Sequence, residues 1–370
     1  MTGFIKWLGV LFILAGTTGS AEPIRFFLGT YTGKSGSQGI YTGTLDSETG
    51  RLGPVELAVV AANPNYLALA PDGKTLYANT ATTGGSVAAF RVERGGHLTW
   101  LNDLPAGKGG CHVSVDATGR TVFVANYSGG NVVSFSTKPD GALARQISLL
   151  PFTGSGPNPQ RQTKPYLHSI YSSPDNHRVY ACDLGTDSIW IFELAADTGI
   201  LTLANPPAAK VPPGSGPRHL AWHPNGRFAY VNGEMGLNVT AFQLDSKTGV
   251  LTAIQTCPTL PAGAATNGVT TAEIICHPSG KWLYVSNRGA DSIAVFAIGE
   301  DGKLTWQQDA PAGVKVPRGF GLDTTGQWLI AAGQNDNRIV VFKIDAVTGK
   351  LSATGQTAAV GSPVCVVFGK

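Results

Sequence analysis

Apolar and polar positions alternate with a period of two along most of this chain, in short runs such as "TLYAN", "TVFVAN", "RVYACD", "RFAYVN", "KWLYVSN" and "QWLIAAG". A turn precedes each run: Pro71-Asp72-Gly73, Ala117-Thr118-Gly119, Pro174-Asp175-Asn176, Pro224-Asn225-Gly226, Pro278-Ser279-Gly280 and Thr324-Thr325-Gly326. A second run follows and ends in phenylalanine, at Phe90, Phe135, Phe192, Phe242, Phe296 and Phe342, spaced 45 to 57 residues apart. A further turn, as in "DTGIL", "KTGVL", "EDGKL" and "VTGKL", then leads into a fourth run. This periodicity predicts half-buried strands separated by tight turns.

Four strands per unit, repeated about every fifty residues, predict propeller blades. Six copies are complete, and the chain ends supply a seventh. "IRFFLGTYT" and "GIYTGTLDSETGRL" have no first strand before them, and "SPVCVVFG" is a first strand with nothing after it. Sharing one blade between the termini closes the ring and removes its open edge. The expected fold is therefore all-β: one seven-bladed β-propeller of four-stranded antiparallel blades over residues 22–370. No unit is long enough to bury a core as a separate sandwich.

Composition agrees with turn-rich β-structure, with 48 glycines and only 14 % charged residues. A formal charge of +3 with no basic run argues against nucleic acid or an anionic membrane as partner. The first residues differ from the rest. Lys6 is followed by "WLGVLFILA" and then by small and polar residues through Ala21. That layout predicts a secretory signal over residues 1–21 and export to the periplasm or beyond. The apolar run falls short of the ~20 residues of a membrane span. No membrane attachment is expected after cleavage. Five cysteines are an odd number, and most fall in apolar strand patterns, so they are expected as small core residues.

Superposing the copies on their turns isolates the residues that break the repeat. Just before the apolar part of each first strand, one register reads Asn65, Cys111, His168, Arg218, Ala272, Arg318. The next reads Tyr66, His112, Ser169, His219, Glu273, Gly319. The register closing the second strand, Asn79, Asn126, Asp183, Asn232, Asn287, Gly333, is nearly uniform and is expected to cap a turn. Just beyond it lie Tyr127, Leu184, Glu234, Arg288 and Gln334. First strands line the channel of a propeller, and all these positions fall at one end of it. His168, Arg218, His219, Glu234, Glu273, Arg288 and Arg318 therefore predict an asymmetric pocket on one face. Guanidiniums clamp carboxylates and phosphates through paired hydrogen bonds, and His168 and Glu234 suit proton transfer. The expected partner is a small anionic organic molecule. No metal-ligand spacing, phosphate loop or nucleophile elbow is present, so neither metal nor cofactor is expected. A monomer is the simplest expectation for a closed ring.

The blocks "GPNPQRQTKPYLHSIYSSPD", "CDLGTDSIWIF", "GPRHLAWHPNGRFAYVNGE", "AEIICHPSGKWLYVSNRGADSIAVF" and "PRGFGLDTTGQWLIAAGQNDNRIVVF" resemble the lactonase family of seven-bladed propellers. That family includes the propeller-type 6-phosphogluconolactonases and the carboxy-cis,cis-muconate cyclases. The resemblance implies a metal-free site whose catalytic group is His168, Arg218, Glu234 and Arg288, with His219, Glu273, Arg318 and Gln334 placed to contact substrate. It implies a 6-phosphogluconolactonase-like hydrolase acting on a small anionic lactone, with a muconate-type, lactone-forming cycloisomerase acting on a muconate-like substrate, or a non-catalytic binding propeller, as alternatives. One departure is local: Gly233 is inserted before Glu234, where the family has Asn-Glu-Leu.

Overall fold

The computed structural model describes residues 23–33, 35–80 and 84–369. The proposed leader, residues 1–21, lies outside them. Among the described residues, every regular element is a strand, and the strands form seven antiparallel sheets of four. Each sheet runs outward from an innermost strand. Those strands are Leu67–Leu69, Gly110–Val115, Leu167–Ser172, Pro217–Trp222, Thr270–Cys276, Pro317–Leu322 and Pro363–Phe368. Pro363–Phe368 pairs with Ile24–Thr30, so one blade combines the last and the first of the described strands. It also packs beside Pro317–Leu322 and Leu67–Leu69, and this contact closes the circle. No helix among the described residues is long and apolar enough to cross a membrane.

The hydrophobic core is divided into seven wedges, one between each pair of neighbouring blades. The six phenylalanines of the repeat fall in these wedges, none more than 2 % exposed. A polar staple recurs across them. The hydroxyls of Tyr77, Tyr180, Tyr230 and Tyr284 donate to the carbonyls of Gly141, Gly249, Gly302 and Gly349, each in the outer turn of the next blade. Gly349 shows why that turn needs glycine. Its φ is +68°, and a Cβ there would lie 2.3 Å from the Trp282 ring. His223 and His277 staple blades in the same sense, meeting the carbonyls of Gly280 and Gly326 at 2.9 and 2.8 Å.

One irregularity positions the site. In six innermost strands the pairing register skips at the channel mouth, leaving out Cys111, His168, Arg218–His219, Ala272–Glu273, Arg318 and Val364. A bulge of this kind re-aims side chains and frees carbonyls from the ladder. The residues that break the sequence repeat in these strands therefore sit where the backbone departs from regular alternation. Cys111 shows the effect: it faces the channel mouth instead of packing in a wedge. Burial pushes its thiol up to about 12, which leaves little thiolate for nucleophilic chemistry.

Candidate functional site

A cavity of about 460 Å³ opens at one mouth of the channel. All seven blades reach it: Tyr31, Asn65, Cys111 and Tyr127, His168, Glu234, Arg288 and Arg318 line it, together with Arg161 from the connection between the strands Leu143–Pro151 and Leu167–Ser172.

Glu234 is at its centre. Arg161 Nη2 donates to Glu234 Oε1 at 2.6 Å. Arg218 Nε and Arg288 Nη2 reach Oε2 at 3.2 and 3.1 Å. Gly233 permits this approach, because a Cβ there would meet Asn238 Oδ1 at 2.4 Å and Ser215 at 3.0 Å. The inserted glycine thus leaves Glu234 inside the arginine cluster. Burial alone would raise the Glu234 carboxyl, but Arg288, Arg218 and Arg161 outweigh it and hold it at about 2. Burial pulls the Arg288 guanidinium down to about 10 while Glu234 supports it, so it stays charged at neutral pH.

His168 lies beside this cluster, with Nε2 3.9 Å from Glu234 Oε2. Burial, then Arg218 and its neighbouring cations, lower its imidazole well below the ordinary histidine range. It is therefore neutral at pH 7. Its Nδ1 and Arg288 Nε are buried without a hydrogen-bond partner among the described residues. On the opposite wall, Arg318 stands 5.5 Å over the Tyr31 ring and has no carboxylate partner among the described residues. Three guanidiniums, of Arg161, Arg288 and Arg318, line the cavity against one carboxylate, and Arg218 adds a fourth by pairing with that carboxylate from outside the lining.

Beneath the cavity, rings fill the channel. The His219 centroid is 5.3 Å from those of His112 and His168 and 5.4 Å from that of Tyr66. His219 Nδ1 meets Glu273 Oε1 at 2.7 Å. Burial pushes the Glu273 carboxyl up to about 7 and holds His219 neutral. A second cavity, of about 300 Å³, opens at the far mouth and is lined by Glu273, Tyr66, Tyr171 and apolar side chains.

The structure thus brings His168, Arg218, Glu234 and Arg288 into one contact group, with Arg318 facing it across the cavity. His219 lies one layer below. Glu273 lines the far cavity, and Gln334 lines neither. Arg161 escaped the sequence reading because its connection has no counterpart in the other repeats. Its neighbour Gln162 anchors that connection, donating to Leu184 O and Asp187 Oδ1 at 2.9 and 2.8 Å.

The fold and the site together define the class: a closed seven-bladed propeller with a cationic, seven-walled pocket at one mouth. Comparison with known proteins gives the family. The model of the lactonase, 7-bladed beta-propeller family matches residues 25–368, and the chain belongs to that family. It is 37 % identical over 346 residues to the 6-phosphogluconolactonase of Bacillus subtilis, covering 92 % of this chain and 97 % of the relative. A Lactobacillus plantarum protein of known structure superposes with a TM-score of 0.88 at 34 % identity, covering 94 % of this chain and all of that one. The periplasmic gluconolactonase of Pseudomonas aeruginosa superposes with a TM-score of 0.87 at 30 % identity, covering 94 % and 99 %.

Proposed function

We propose that this chain hydrolyses the ring ester of a small sugar lactone, with an anionic lactone such as 6-phosphogluconolactone as the favoured substrate. The names of the Bacillus and Pseudomonas relatives support the reaction class. One observation carries the assignment of roles: the two acid–base groups, 3.9 Å apart, are held in opposite states of readiness. Glu234 is engaged by three guanidiniums and is a weak base at about 2. His168 is neutral and faces the same space.

In this reading His168 takes a proton from a water molecule as its oxygen attacks the lactone carbonyl. The carbonyl π bond becomes an oxyanion, which Arg218 and Arg288 stabilise as fixed donors. Collapse breaks the ring carbon–oxygen bond, and His168 returns its proton to the departing alkoxide. The product is a hydroxy acid that ionises and releases one proton. Glu234 keeps Arg218 and Arg288 close, which mutual repulsion would otherwise oppose. Arg318, without a carboxylate partner of its own, binds the distal phosphate or carboxylate.

We also infer that the mature chain is exported after cleavage at Ala21. The N-terminal pattern and the periplasmic location named for the Pseudomonas relative support this. N-terminal sequencing of the secreted or periplasmic fraction checks it.

The activity test is proton release from 6-phosphogluconolactone, gluconolactone and a muconolactone, corrected for spontaneous opening. A charge-assisted contact at Arg318 makes the phosphorylated lactone better in kcat/KM by roughly ten- to a hundredfold, a margin that Arg318→Ala removes. A well-folded protein that opens none of the three overturns the assignment.

A further inference from the structure

The buried pair His219 and Glu273 is outside the cavity that holds Glu234, yet it touches one of the arginines that clasp it. Arg218 Nη1 lies 3.3 Å from His219 Nε2 and also donates to Ala272 O. We propose that Glu273 is a positioning residue: by fixing the tautomer of His219 it fixes the direction in which Arg218 presents its guanidinium to the site.

The argument follows from donor and acceptor counts. A guanidinium has only donors, so His219 Nε2, facing Arg218, is the acceptor. The ring proton of the neutral imidazole is then on Nδ1, which points at Glu273 Oε1 at 2.7 Å. That oxygen also accepts from Ile274 N at 3.1 Å. The opposite tautomer would set N–H against N–H at Arg218 and lone pair against lone pair at Glu273. Both faults would arise together, and the simplest relief is rotation of Arg218 away from Glu234.

The backbone is prepared for this arrangement. Skips in register at Pro217–Leu220 and Thr271–Ile274 take Ala272 O out of its ladder. The freed carbonyl accepts from both Arg218 and Asn232 Nδ2, the latter at 2.9 Å. Asn232 Oδ1 in turn accepts from His219 N at 3.0 Å. Arg218 and His219 are adjacent on one innermost strand, and Glu273 is on the next. The chain Glu273–His219–Arg218–Glu234 therefore couples two blades and ends on the carboxylate at the centre of the site.

The test compares the wild type with Glu273→Gln and Glu273→Leu by two readouts. Nitrogen-15 spectra of the histidine side chains at pH 8, with His219 assigned from a His219→Gln sample, report its tautomer. The wild type shows His219 protonated on Nδ1, and the Leu variant shows loss of that state. Lactone turnover in Glu273→Leu falls roughly a hundredfold in kcat through misplacement of Arg218, with KM changed less than about threefold. Glu273→Gln, whose carbonyl oxygen accepts the same bond, keeps most of the rate. A wild-type His219 protonated on Nε2, or a folded Leu variant with unchanged kcat, overturns the proposal. Should the Leu variant fail to fold, the wild-type tautomer and the Gln variant decide. The kinetic readout rests on the lactonase reading, whereas the spectra do not. An inactive protein with His219 protonated on Nδ1 would sink the first reading and leave the Glu273–His219 arrangement standing.

Discussion

Replacing Glu234 by glutamine keeps the shape of the side chain and removes the one negative charge among three guanidiniums. The carboxyl is held at about 2 against an ordinary value of 4.5, a gap of about 2.5 on the pH scale. At 1.36 kcal/mol per pH unit, that gap is worth about 3 kcal/mol of folding stability. Because the folded value is the lower one, the stabilisation is complete above the unfolded value and is lost as pH falls through the folded one. At pH 3.5 about 2 kcal/mol of it remains. The figure at neutral pH agrees with the roughly 3–5 kcal/mol expected when one partner of a buried ion pair is removed. For a chain of this size the unfolding entropy is about 0.7 kcal/mol per kelvin. Calorimetry should therefore show Glu234→Gln melting about 4–5 °C below the wild type at pH 7, and about 3 °C below at pH 3.5. Equal melting at pH 7, or a gap that widens in acid, would refute the account of Glu234 as the group that holds the arginines together.

His168→Asn should lower kcat by roughly 10²- to 10⁴-fold as a lost general base, while wild-type kcat/KM stays level from pH 8 down past 6.5, because the lowered imidazole protonates only in stronger acid; stopped-flow proton release measures both. At the blade interface, Tyr284→Phe leaves Gly349 O without its donor and should cost about 1–3 kcal/mol in denaturant titration. Gly349→Ala, strained at a φ of +68° and blocked by Trp282, should cost more. The double mutant should show less than the sum, since both changes act on one contact.

The blades could be read from the chain because each strand has one face in a wedge and alternation records that face directly. The break in the repeat also pointed to one place: His168, Glu234, Arg288 and Arg318 line a single cavity, and Arg218 pairs with Glu234 beside it. Depth along the channel was not legible. His219 and Glu273 occupy the register beside these residues, but the skips in pairing decide which side chains rise to the mouth and which turn inward. Such skips leave no mark in a period-two pattern. Arg161 was invisible for another reason. It lies in a connection with no equivalent in other copies, and its position depends on Gln162 reaching Leu184 and Asp187. The uniform Asn/Asp register proved mixed. Asp183 caps its turn through Gly185 N and Thr186, whereas Asn232 and Asn287 tie their strands to Ala272 O and Thr259 O on neighbouring segments.

The shared terminal blade has a consequence for the order in which the molecule can be made. Its middle strands, Ile24–Thr30 and Gly39–Leu45, emerge early from the ribosome, but their inner partner, Pro363–Phe368, emerges last. Until then the nascent chain is an open arc with an unpaired inner edge at one end and an uncovered wedge at the other. Arg318 and Tyr31, on opposite sides of that gap, cannot yet face each other. The pocket therefore comes into existence only after Pro363–Phe368 has left the ribosome, and a chain without this strand would carry every residue of the site but lack the piece that closes the circle around it.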